Sequence, residues 1–392
     1  MSAFNKTPQG ERLHIGIFGK CNVGKSTLLN AITKQETSVV SPIKGTTTDP
    51  VFKAMELLPV GPVLFIDTPG IDDGGQLGGL RIEKAKNILR KVDIAILVVG
   101  ISQDLSDEDR DLISTFEKYD IKYLIVYNKD VLSEHDFHRT SGILVNALTG
   151  ENIDILKERI MQTVGTDENK QYLISDLLEP GDIVVLVMPI DKSAPKGRLI
   201  LPQQQVIRDI LEAGAVSVIT TAEELKWTLE KVNTPKMVVT DSQAFAQVSK
   251  DTGKNIALTS FSILMARYKG ILNQAVQGVK AIDTLKDGDT ILISEGCTHH
   301  RQCDDIGTVK LPRMIEKYTK IQPKYEFSSG GSFAQDLSKY KMVIHCGGCM
   351  LNNREMVYRH KLASEAGVPI TNYGVAMSYM QGILDRCIAP VK

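Results

Sequence analysis

The sequence is poor in aromatic residues and has almost no net charge. Aromatic residues make up 6% of its 392 residues, with a single tryptophan, which disfavours a stacking platform for single-stranded nucleic acid. Lys and Arg number 46 and Asp and Glu number 47, so the formal net charge is -1 and a general basic field is missing. We therefore expect no nucleic-acid partner.

Long apolar runs are also missing. The longest, residues 94–101, is far shorter than the roughly 20 residues that a membrane-spanning helix needs. The first residues lack the apolar segment of a secretory signal. The sequence therefore predicts a cytoplasmic protein that does not bind a membrane.

Cysteine is scarce and unevenly placed. Six cysteines are too few for a disulfide framework in a chain of this length. All but Cys21 lie in the last quarter of the chain, at positions 297, 303, 346, 349 and 387. Thiols clustered in this way in a cytosolic chain indicate metal or redox chemistry.

The chain is long enough for two or three domains of roughly 100–200 residues each. Short apolar runs alternate with amphipathic stretches, which predicts an α/β fold with largely parallel sheets. The strands expected in the first part are residues 14–18, 62–66, 94–99, 122–127 and 143–145, and the helices are 25–33, 80–91, 107–119 and 152–164. We place three domains at 1–166, 167–272 and 273–392.

The middle part has no Cys, no His and no Gly-rich phosphate loop. Because no site is visible there, we interpret it as a structural or oligomerisation module. Its expected strands are residues 183–188, 216–219 and 236–239, and its expected helices are 205–213, 222–232, 243–251 and 262–276. In the last part, strands are expected at 290–294 and 341–344, each followed directly by a Cys/His cluster.

A phosphate-binding loop is predicted near the N-terminus. Residues 19–26 fit the pattern G-x-x-x-x-G-K-[ST] and lie between a predicted strand and a predicted helix. Backbone N–H groups of such a loop surround the phosphates, its lysine contacts the β- and γ-phosphates, and its serine hydroxyl binds Mg²⁺. The predicted nucleotide-binding residues here are Gly19, Asn22, Val23, Gly24, Lys25, Ser26 and Thr27.

Two further elements follow in the order that a GTPase requires. Asp67 and Gly70 come at the end of a predicted strand, where the carboxylate would hold Mg²⁺ through water and the Gly70 amide would contact the γ-phosphate. The polar loop 45–49 contains three threonines, one of which could reach Mg²⁺ only while the γ-phosphate is present. No glutamine occupies the water-orienting position after Gly70, which predicts slow intrinsic turnover.

A guanine-reading motif is expected after strand 122–127. The residues that would contact the base are Asn128, Lys129, Asp130, Asn146 and Ala147. In the GTPases that these motifs resemble, a carboxylate stands one residue after Asp130, where this sequence has Val131. Guanine selection needs a carboxylate that bridges two ring N–H donors, so we predict that Asp130 takes this role through a local shift of the loop. Equal affinity for ATP and GTP would contradict this prediction.

Together these motifs resemble the TrmE–Era–EngA branch of GTPases over about the first 165 residues. The resemblance implies that Asn22 binds a K⁺ ion and that Thr47 is the Mg²⁺ ligand of the switch loop. The potassium would then supply the positive charge of an arginine finger. The catalytic residues implied are Lys25, Thr47, Asp67 and Gly70.

Soft ligands cluster at the ends of the two strands predicted in the last part. Cys297 and His299 follow the first strand, and His345, Cys346 and Cys349 follow the second. Two thiolates spaced C-x-x-C on a glycine-containing turn can point at one ion or cluster. Three thiolates with a histidine suit a tetrahedral zinc site, and the same thiolates can hold a 4Fe–4S cluster with one iron left to an exchangeable ligand. The residues alone do not decide between them.

The strings 294–307 and 345–354 resemble the C-terminal signature of the HydF family, the GTPase scaffolds of FeFe-hydrogenase maturation, and the whole chain fits its three-part layout. The resemblance implies that Cys297, Cys346 and Cys349 bind a 4Fe–4S cluster with a labile fourth position. The candidates for that position are His299, His345, Asp304 and Asp305. Cys303 is either a spare thiol or a partly buried residue.

The function that this resemblance implies is that of a scaffold and carrier. The last domain would accept a diiron precursor with CO and cyanide ligands from the radical-SAM maturases HydE and HydG and deliver it to apo FeFe-hydrogenase. Hydrolysis of GTP to GDP with Mg²⁺ and K⁺ would control partner exchange, and the middle domain would form a homodimer. Two alternatives stay open: a ribosome- or tRNA-linked GTPase, and a zinc-stabilised regulatory GTPase.

Overall fold

The structure is a computed structural model that describes residues 7–34, 50–70, 88–101, 104–129, 142–164, 171–190, 199–297 and 305–392. Its internal contacts divide the chain into two units, Met1–Asn169 and Lys170–Lys392. Within the described ranges, no helix combines the length and the apolar character that a bilayer crossing needs.

The first unit is built on a mostly parallel sheet. Its described strands are β1 (Leu13–Phe18), β2 (Val51–Leu57), β3 (Gly61–Asp67), β4 (Ile94–Gly100), β5 (Lys122–Asn128) and β6 (Ile143–Val145), in the order β2-β3-β1-β4-β5-β6. Only β2 runs antiparallel to its neighbour, β3. Helices α1 (Lys25–Thr33) and α3 (Ile153–Val164) belong to one hydrophobic cluster, and α2 (Asp107–Lys118) belongs to another. The sheet is therefore covered by helices on two sides, as in doubly wound α/β folds.

The expected elements of this unit are confirmed wherever they are described, except that the antiparallel strand β2 was not predicted. Ser106 begins α2 with a capping box, because its hydroxyl accepts from the Asp109 amide at 3.2 Å and its amide donates to the Asp109 carboxylate at 3.1 Å. Most of the helix expected at 80–91 lies outside the described residues. The carboxyl ends of the parallel strands β1, β3, β5 and β6 all meet at one edge of the sheet, which is where α/β proteins bind ligands.

The second unit contains two parallel sheets. The first has the order β10-β9-β7-β8 and the second has the order β12-β11-β13-β14. The strands are β7 (Ile183–Val187), β8 (Val216–Thr220), β9 (Met237–Thr240), β10 (Ala257–Ser260), β11 (Thr290–Glu295), β12 (Lys324–Ser329), β13 (Met342–His345) and β14 (Ile370–Asn372). The helices are α4 (Leu201–Glu212), α5 (Leu225–Lys231), α6 (Phe245–Asp251), α7 (Phe261–Tyr268), α8 (Leu272–Gly278), α9 (Leu311–Thr319), α10 (Asn353–Glu365), α11 (Tyr373–Met380) and α12 (Leu384–Ile388).

A single hydrophobic cluster joins the two sheets of this unit. It contains Val185 and Val238 from the first sheet and Ile293 and Ile344 from the second. The three-part α/β layout is confirmed, with the middle and last parts packed on a shared core. Strands β10, β12 and β14 were not predicted. The long helix expected at 262–276 is wrong, because Gly270 has a φ of +71° and separates α7 from α8.

Candidate functional site

The phosphate-binding loop follows β1 and leads into α1, as predicted. Gly19 has a φ of +141°, and a Cβ there would lie 2.3 Å from the Val98 carbonyl oxygen. Gly24 has a φ of +88°, and a Cβ there would lie 2.2 Å from the Asn128 side-chain nitrogen. Both glycines are therefore required by backbone conformation and by space.

Lys25 is buried inside this loop. Its Nζ donates to the carbonyl oxygens of Gly19 at 3.0 Å and Lys20 at 2.6 Å. The ammonium group is thus held at the centre of the turn by the loop's own backbone. That is the position from which a lysine of this motif contacts the β- and γ-phosphates.

Ser26 and Asp67 form the best-defined part of a cation site. The Ser26 hydroxyl donates to Asp67 Oδ2 at 2.5 Å, and Asp67 is 1% exposed. The other carboxylate oxygen, Oδ1, is buried and makes no hydrogen bond within the described part of the chain. Burial raises the pKa of Asp67, whereas the Ser26 bond and the nearby Lys25 and Lys53 charges lower it. A buried carboxylate oxygen without a partner beside a hydroxyl fits a hard oxygen-seeking cation such as Mg²⁺. The predicted third ligand, Thr47, lies outside the described residues.

Gly70 lies against the phosphate loop. A Cβ at Gly70 would stand 2.3 Å from Cys21 Sγ and 2.8 Å from the Cys21 amide nitrogen. The start of the segment that would contact the γ-phosphate therefore sits beside the loop that would hold the other phosphates. Asn22, the predicted K⁺ ligand, is exposed in this loop with a φ of +62°.

Asn128 joins the phosphate loop to the predicted base-binding turn. Its Nδ2 donates to the Val23 carbonyl at 3.0 Å, and its Oδ1 accepts from the Ala147 amide at 3.1 Å. Asn146 shapes the same turn, because its Oδ1 accepts from the amides of residues 148 and 149 at 3.0 and 3.1 Å. Lys129 continues from β5, and its amide donates to the Val145 carbonyl at 2.8 Å. Asp130 and Val131 lie outside the described residues.

Lys53, on the unpredicted strand β2, is a further charged group near the cation site. It is 5% exposed, and its Nζ donates to Asn30 Oδ1 at 2.6 Å. Burial lowers the pKa of Lys53, and the neighbouring Asp67 carboxylate opposes that shift. Sequence reasoning missed this residue because β2 itself was missed.

The predicted cysteines are brought together by adjacent strands. Strands β11 and β13 pair in parallel, with Ser294 opposite His345, so the loops that follow them are neighbours. Cys346 Sγ accepts hydrogen bonds from the amides of Gly296 at 3.1 Å and Gly348 at 3.3 Å. Gly348 has a φ of +64° and no room for a Cβ, which would lie 2.5 Å from Met356 Sδ. The C-x-x-C turn and the loop that follows β11 therefore each direct one backbone N–H group at the Cys346 sulfur.

The three thiols are close enough to affect one another's ionisation. Burial raises the pKa of Cys346 to about 12, and Cys349 and Cys297 add to that shift. Burial likewise raises the pKa of Cys297 to about 11, with smaller contributions from Cys349, Glu295 and Asp305. Among the residues the structure describes, no three Cys, His, Asp or Glu side chains converge closely enough to hold one metal ion. Sulfur ligands of a 4Fe–4S cluster bind different irons of a cube, and N–H donors to sulfur are typical of such clusters, so the donor set fits that group.

The candidates for a fourth ligand differ in their surroundings. His345 is buried, its Nδ1 lies 2.8 Å from the Cys346 carbonyl oxygen, and its Nε2 lies 2.9 Å from Arg359 Nη1. Both ring nitrogens are engaged, and burial lowers the pKa of His345 to about 3. Asp305 Oδ2 accepts from both the amide and the hydroxyl of Thr308 at 2.8 Å. His299, Cys303 and Asp304 lie outside the described residues.

Arg359, which sequence reasoning missed, is fully buried and contacts His345, the residue before the C-x-x-C turn. Besides His345, its guanidinium donates to Glu355 Oε1 at 2.8 and 2.9 Å and to the Gly330 carbonyl at 2.7 Å. The guanidinium carbon lies 4.9 Å from the centre of the Phe333 ring. This single side chain therefore connects α10 and the loop after β12 with the residue that precedes Cys346.

Glu295 is another buried group that the sequence did not single out. It ends β11, is 6% exposed and accepts from the Tyr373 hydroxyl at 3.3 Å. Its carboxylate and that of Asp305 both contribute to the raised pKa of Cys297. Two other residues have packing roles: Cys387 is fully buried in the core, and His360 Nδ1 pairs with Gln274 Oε1 at 3.1 Å.

Comparison with known proteins identifies the first unit as a GTPase domain. A family model described as "50S ribosome-binding GTPase" matches residues 14–129. GTPase Der of Wolinella succinogenes is 36% identical over 167 residues, which are 38% of this chain and 35% of that protein. GTPase Der of Campylobacter jejuni is 35% identical over 168 residues, which are 38% of this chain and 36% of that protein. The chain thus spans about a third of the length of these curated relatives.

Solved structures are more distant. A variant of Aquifex aeolicus Era bound to GDP.AlF4- is 20% identical, covers 61% of this chain and 98% of its own, and gives a TM-score of 0.36. Era in complex with MgGDPNP and a segment of 16S ribosomal RNA is also 20% identical. The match covers 53% of this chain and 91% of the Era chain, with a TM-score of 0.35.

The second unit matches two models of one family from end to end. Residues 173–270 match the "Hydrogen maturase F dimerization domain", and residues 273–390 match the "Hydrogen maturase F tetramerization domain". Together the two matches cover more than half of the chain and follow the GTPase domain without overlap. The chain therefore belongs to the hydrogen maturase F (HydF) family.

Proposed function

We propose that this chain is a GTPase scaffold of FeFe-hydrogenase maturation that holds a 4Fe–4S cluster on Cys297, Cys346 and Cys349. The observation that supports the proposal is that Cys297 and Cys346 follow adjacent parallel strands, with two backbone N–H groups directed at Cys346 Sγ. The cluster supplies iron with a replaceable ligand when it is bound. The thiols hold it, and the Gly296 and Gly348 amides stabilise sulfur as thiolate.

The fourth position is the functional one in this proposal. Of its four candidates, His345 would have to give up an existing hydrogen bond to bind iron, and one oxygen of Asp305 already caps a helical turn. We therefore place His299 and Asp304 ahead of them. An oxygen or imidazole ligand binds iron less strongly than a thiolate, which suits displacement by an incoming group.

The cargo and partners follow from this site. We propose that the labile position accepts a diiron precursor with CO and cyanide ligands from HydE and HydG and releases it to apo FeFe-hydrogenase. A carrier needs binding that is reversible, and an exchangeable ligand provides it.

The GTPase domain would regulate this transfer by hydrolysing GTP. Ser26 and Asp67, with Thr47, would hold Mg²⁺, Asn22 would bind K⁺, and Asn128 with Asp130 would select guanine. Lys25 is already positioned inside the loop that would hold the phosphates. Nucleotide control of partner exchange requires GTP and GDP to favour different states of the protein.

Assembly into a homodimer is proposed through the middle domain. Among the described strands, β8 is at the edge of its sheet and pairs with a neighbour on one side only, β7. Val216 and Ile219 on this strand and Trp227 on α5 are 49%, 51% and 63% exposed. An edge strand flanked by exposed apolar side chains favours pairing with a second copy.

The test is anaerobic reconstitution of the full chain with iron and sulfide, followed by metal analysis and electron paramagnetic resonance. The wild-type protein should bind about four irons with equal sulfide. Cys297→Ala, Cys346→Ala and Cys349→Ala should each lose most of the cluster signal, whereas Cys303→Ala should keep it. Zinc without sulfide in the wild-type protein would refute the proposal, and sedimentation of the same samples as monomers would refute the homodimer.

A further inference from the structure

The loop that follows Cys349 is held by a side chain from the dimerisation domain. Lys269 comes directly after α7 and is 2% exposed. Its Nζ donates to the Leu351 carbonyl at 2.7 Å and to Asn353 Oδ1 at 3.2 Å. An ammonium group is buried only where oxygen atoms replace its water, so these two bonds fix the loop relative to α7.

The same end of α7 also fixes the first described residues of the second unit. Arg267 donates to both carboxylate oxygens of Asp176, at 2.9 and 2.5 Å, and to the carbonyls of Tyr172 and Leu173, at 3.1 and 3.3 Å. A bidentate arginine–carboxylate pair sets orientation as well as distance. Arg267 and Lys269, at one end of α7, therefore hold two segments that are far apart in sequence, residues 172–176 and residues 351–353.

These two segments touch each other. Asn353, at the start of α10, donates its side-chain amide to Gln171 Oε1. Gln171 is the first described residue after the stretch 165–170, which follows the last helix of the GTPase domain. A displacement of the chain at 171 would therefore act on Asn353, four residues after Cys349.

Charge gives Lys269 a second role at the same place. A 4Fe–4S cluster with three thiolate ligands is anionic, and a buried cation nearby favours the more negative, reduced form. Lys269 Nζ donates to the Leu351 carbonyl, two residues after Cys349, so the charge lies close to the cysteine loop.

We propose that Lys269 is a positioning residue of the cluster site and that, with Asn353 and Gln171, it connects the chain leaving the GTPase domain to the cysteine loop. The inference rests on the proposed cluster at Cys297, Cys346 and Cys349. It assigns to the dimerisation domain a part in the site that its sequence does not indicate.

The test compares Lys269→Met with Lys254→Met, an exposed lysine of the same domain, in the reconstituted full chain. Lys269→Met should release iron to a chelator about tenfold faster or more, because two hydrogen bonds donated by a charged group are lost. It should also shift the midpoint potential of the cluster to a more negative value. Lys254→Met should match the wild type, and equal release rates and potentials in Lys269→Met and wild type would overturn the proposal.

The connection to the GTPase domain is tested with Gln171→Ala, which alters an exposed side chain. Iron release is measured with a non-hydrolysable GTP analogue and with GDP. The difference between the two nucleotides in the wild type should shrink in Gln171→Ala. If the two nucleotides gave the same iron release in the wild type, or if their difference were unchanged in Gln171→Ala, the proposed connection to the GTPase domain would be overturned.

A readout that needs no iron separates this inference from the proposed function. In the iron-free protein, backbone amides of residues 346–353 should exchange hydrogen faster in Lys269→Met than in Lys254→Met. Faster exchange would show that Lys269 fixes the cysteine loop even if the wild type fails to bind iron, and equal exchange refutes the positioning role even if the cluster assembles.

Discussion

Replacement of Arg359 by methionine should lower the free energy of unfolding of the second unit by about 3–5 kcal/mol. The guanidinium is fully buried and bonds to Glu355, His345 and the Gly330 carbonyl. Methionine fills much of the same volume, so the main cost is the buried Glu355 carboxylate that loses its counter-charge. Glu355 Oε2 has no hydrogen-bond partner within the described part of the chain, so this carboxylate depends strongly on Arg359.

Urea unfolding, followed by circular dichroism and by the fluorescence of Trp227, measures this effect. Trp227 is the single tryptophan and lies in α5 of the same unit, so its signal excludes the GTPase domain. Lys361→Met is the matched control, because it removes a positive charge from an exposed position of the same helix. Adding Glu355→Gln to Arg359→Met should restore part of the lost stability. If the free energy of unfolding of Arg359→Met alone lay within about 1 kcal/mol of the wild-type value, the assigned role of this network would be contradicted.

Asp67→Asn should slow GTP hydrolysis by about 100-fold or more and raise the Mg²⁺ concentration needed for half-maximal rate. The carboxylate already pairs with the Ser26 hydroxyl through Oδ2, and its Oδ1 is buried without a hydrogen bond in the described part of the chain. An amide at this position would direct either a weaker oxygen ligand or an N–H donor toward the cation.

Phosphate release as a function of Mg²⁺ concentration measures this effect. Asp154→Asn, an exposed carboxylate on α3 whose side chain is 93% accessible, is the control and should behave like the wild type. Running each series in potassium chloride and in sodium chloride tests the proposed K⁺ site at Asn22 separately. Equal turnover of Asp67→Asn and wild type at saturating Mg²⁺ would show that another group holds the cation.

The nucleotide site was largely predictable because most of its functional residues belong to short motifs of consecutive residues. Gly19 and Gly24 are needed for backbone reasons, and the loop they form has to join a strand to a helix. Strand β2 was missed because Lys53, a charged residue, is one of its buried positions and breaks the apolar alternation. Strand β12 is an edge strand with few buried side chains, so its sequence has little hydrophobic signal.

The cysteine site was predictable only in part. Residue type and spacing indicated that Cys297 and Cys346 each follow a strand, and the structure pairs those two strands in parallel. Lys269 and Arg359 could not be found in this way, because a basic residue at a helix end or on a helix face is usually exposed. Lys269 reaches a carbonyl 82 positions away, and Arg359 reaches one 29 positions away. Such partners become visible only when the chain is folded.

The shared core of the second unit limits how this part of the chain can evolve. Val185 and Val238 of the first sheet lie in the same apolar cluster as Ile293 and Ile344 of the second, although separate family models describe the two sheets. Neither sheet can be exchanged for an unrelated module without exposing the apolar surface of the other. A core substitution in the first sheet can thus also disturb the cysteine loops that follow the strands of the second sheet. The core residues of the two sheets are therefore expected to change together in evolution.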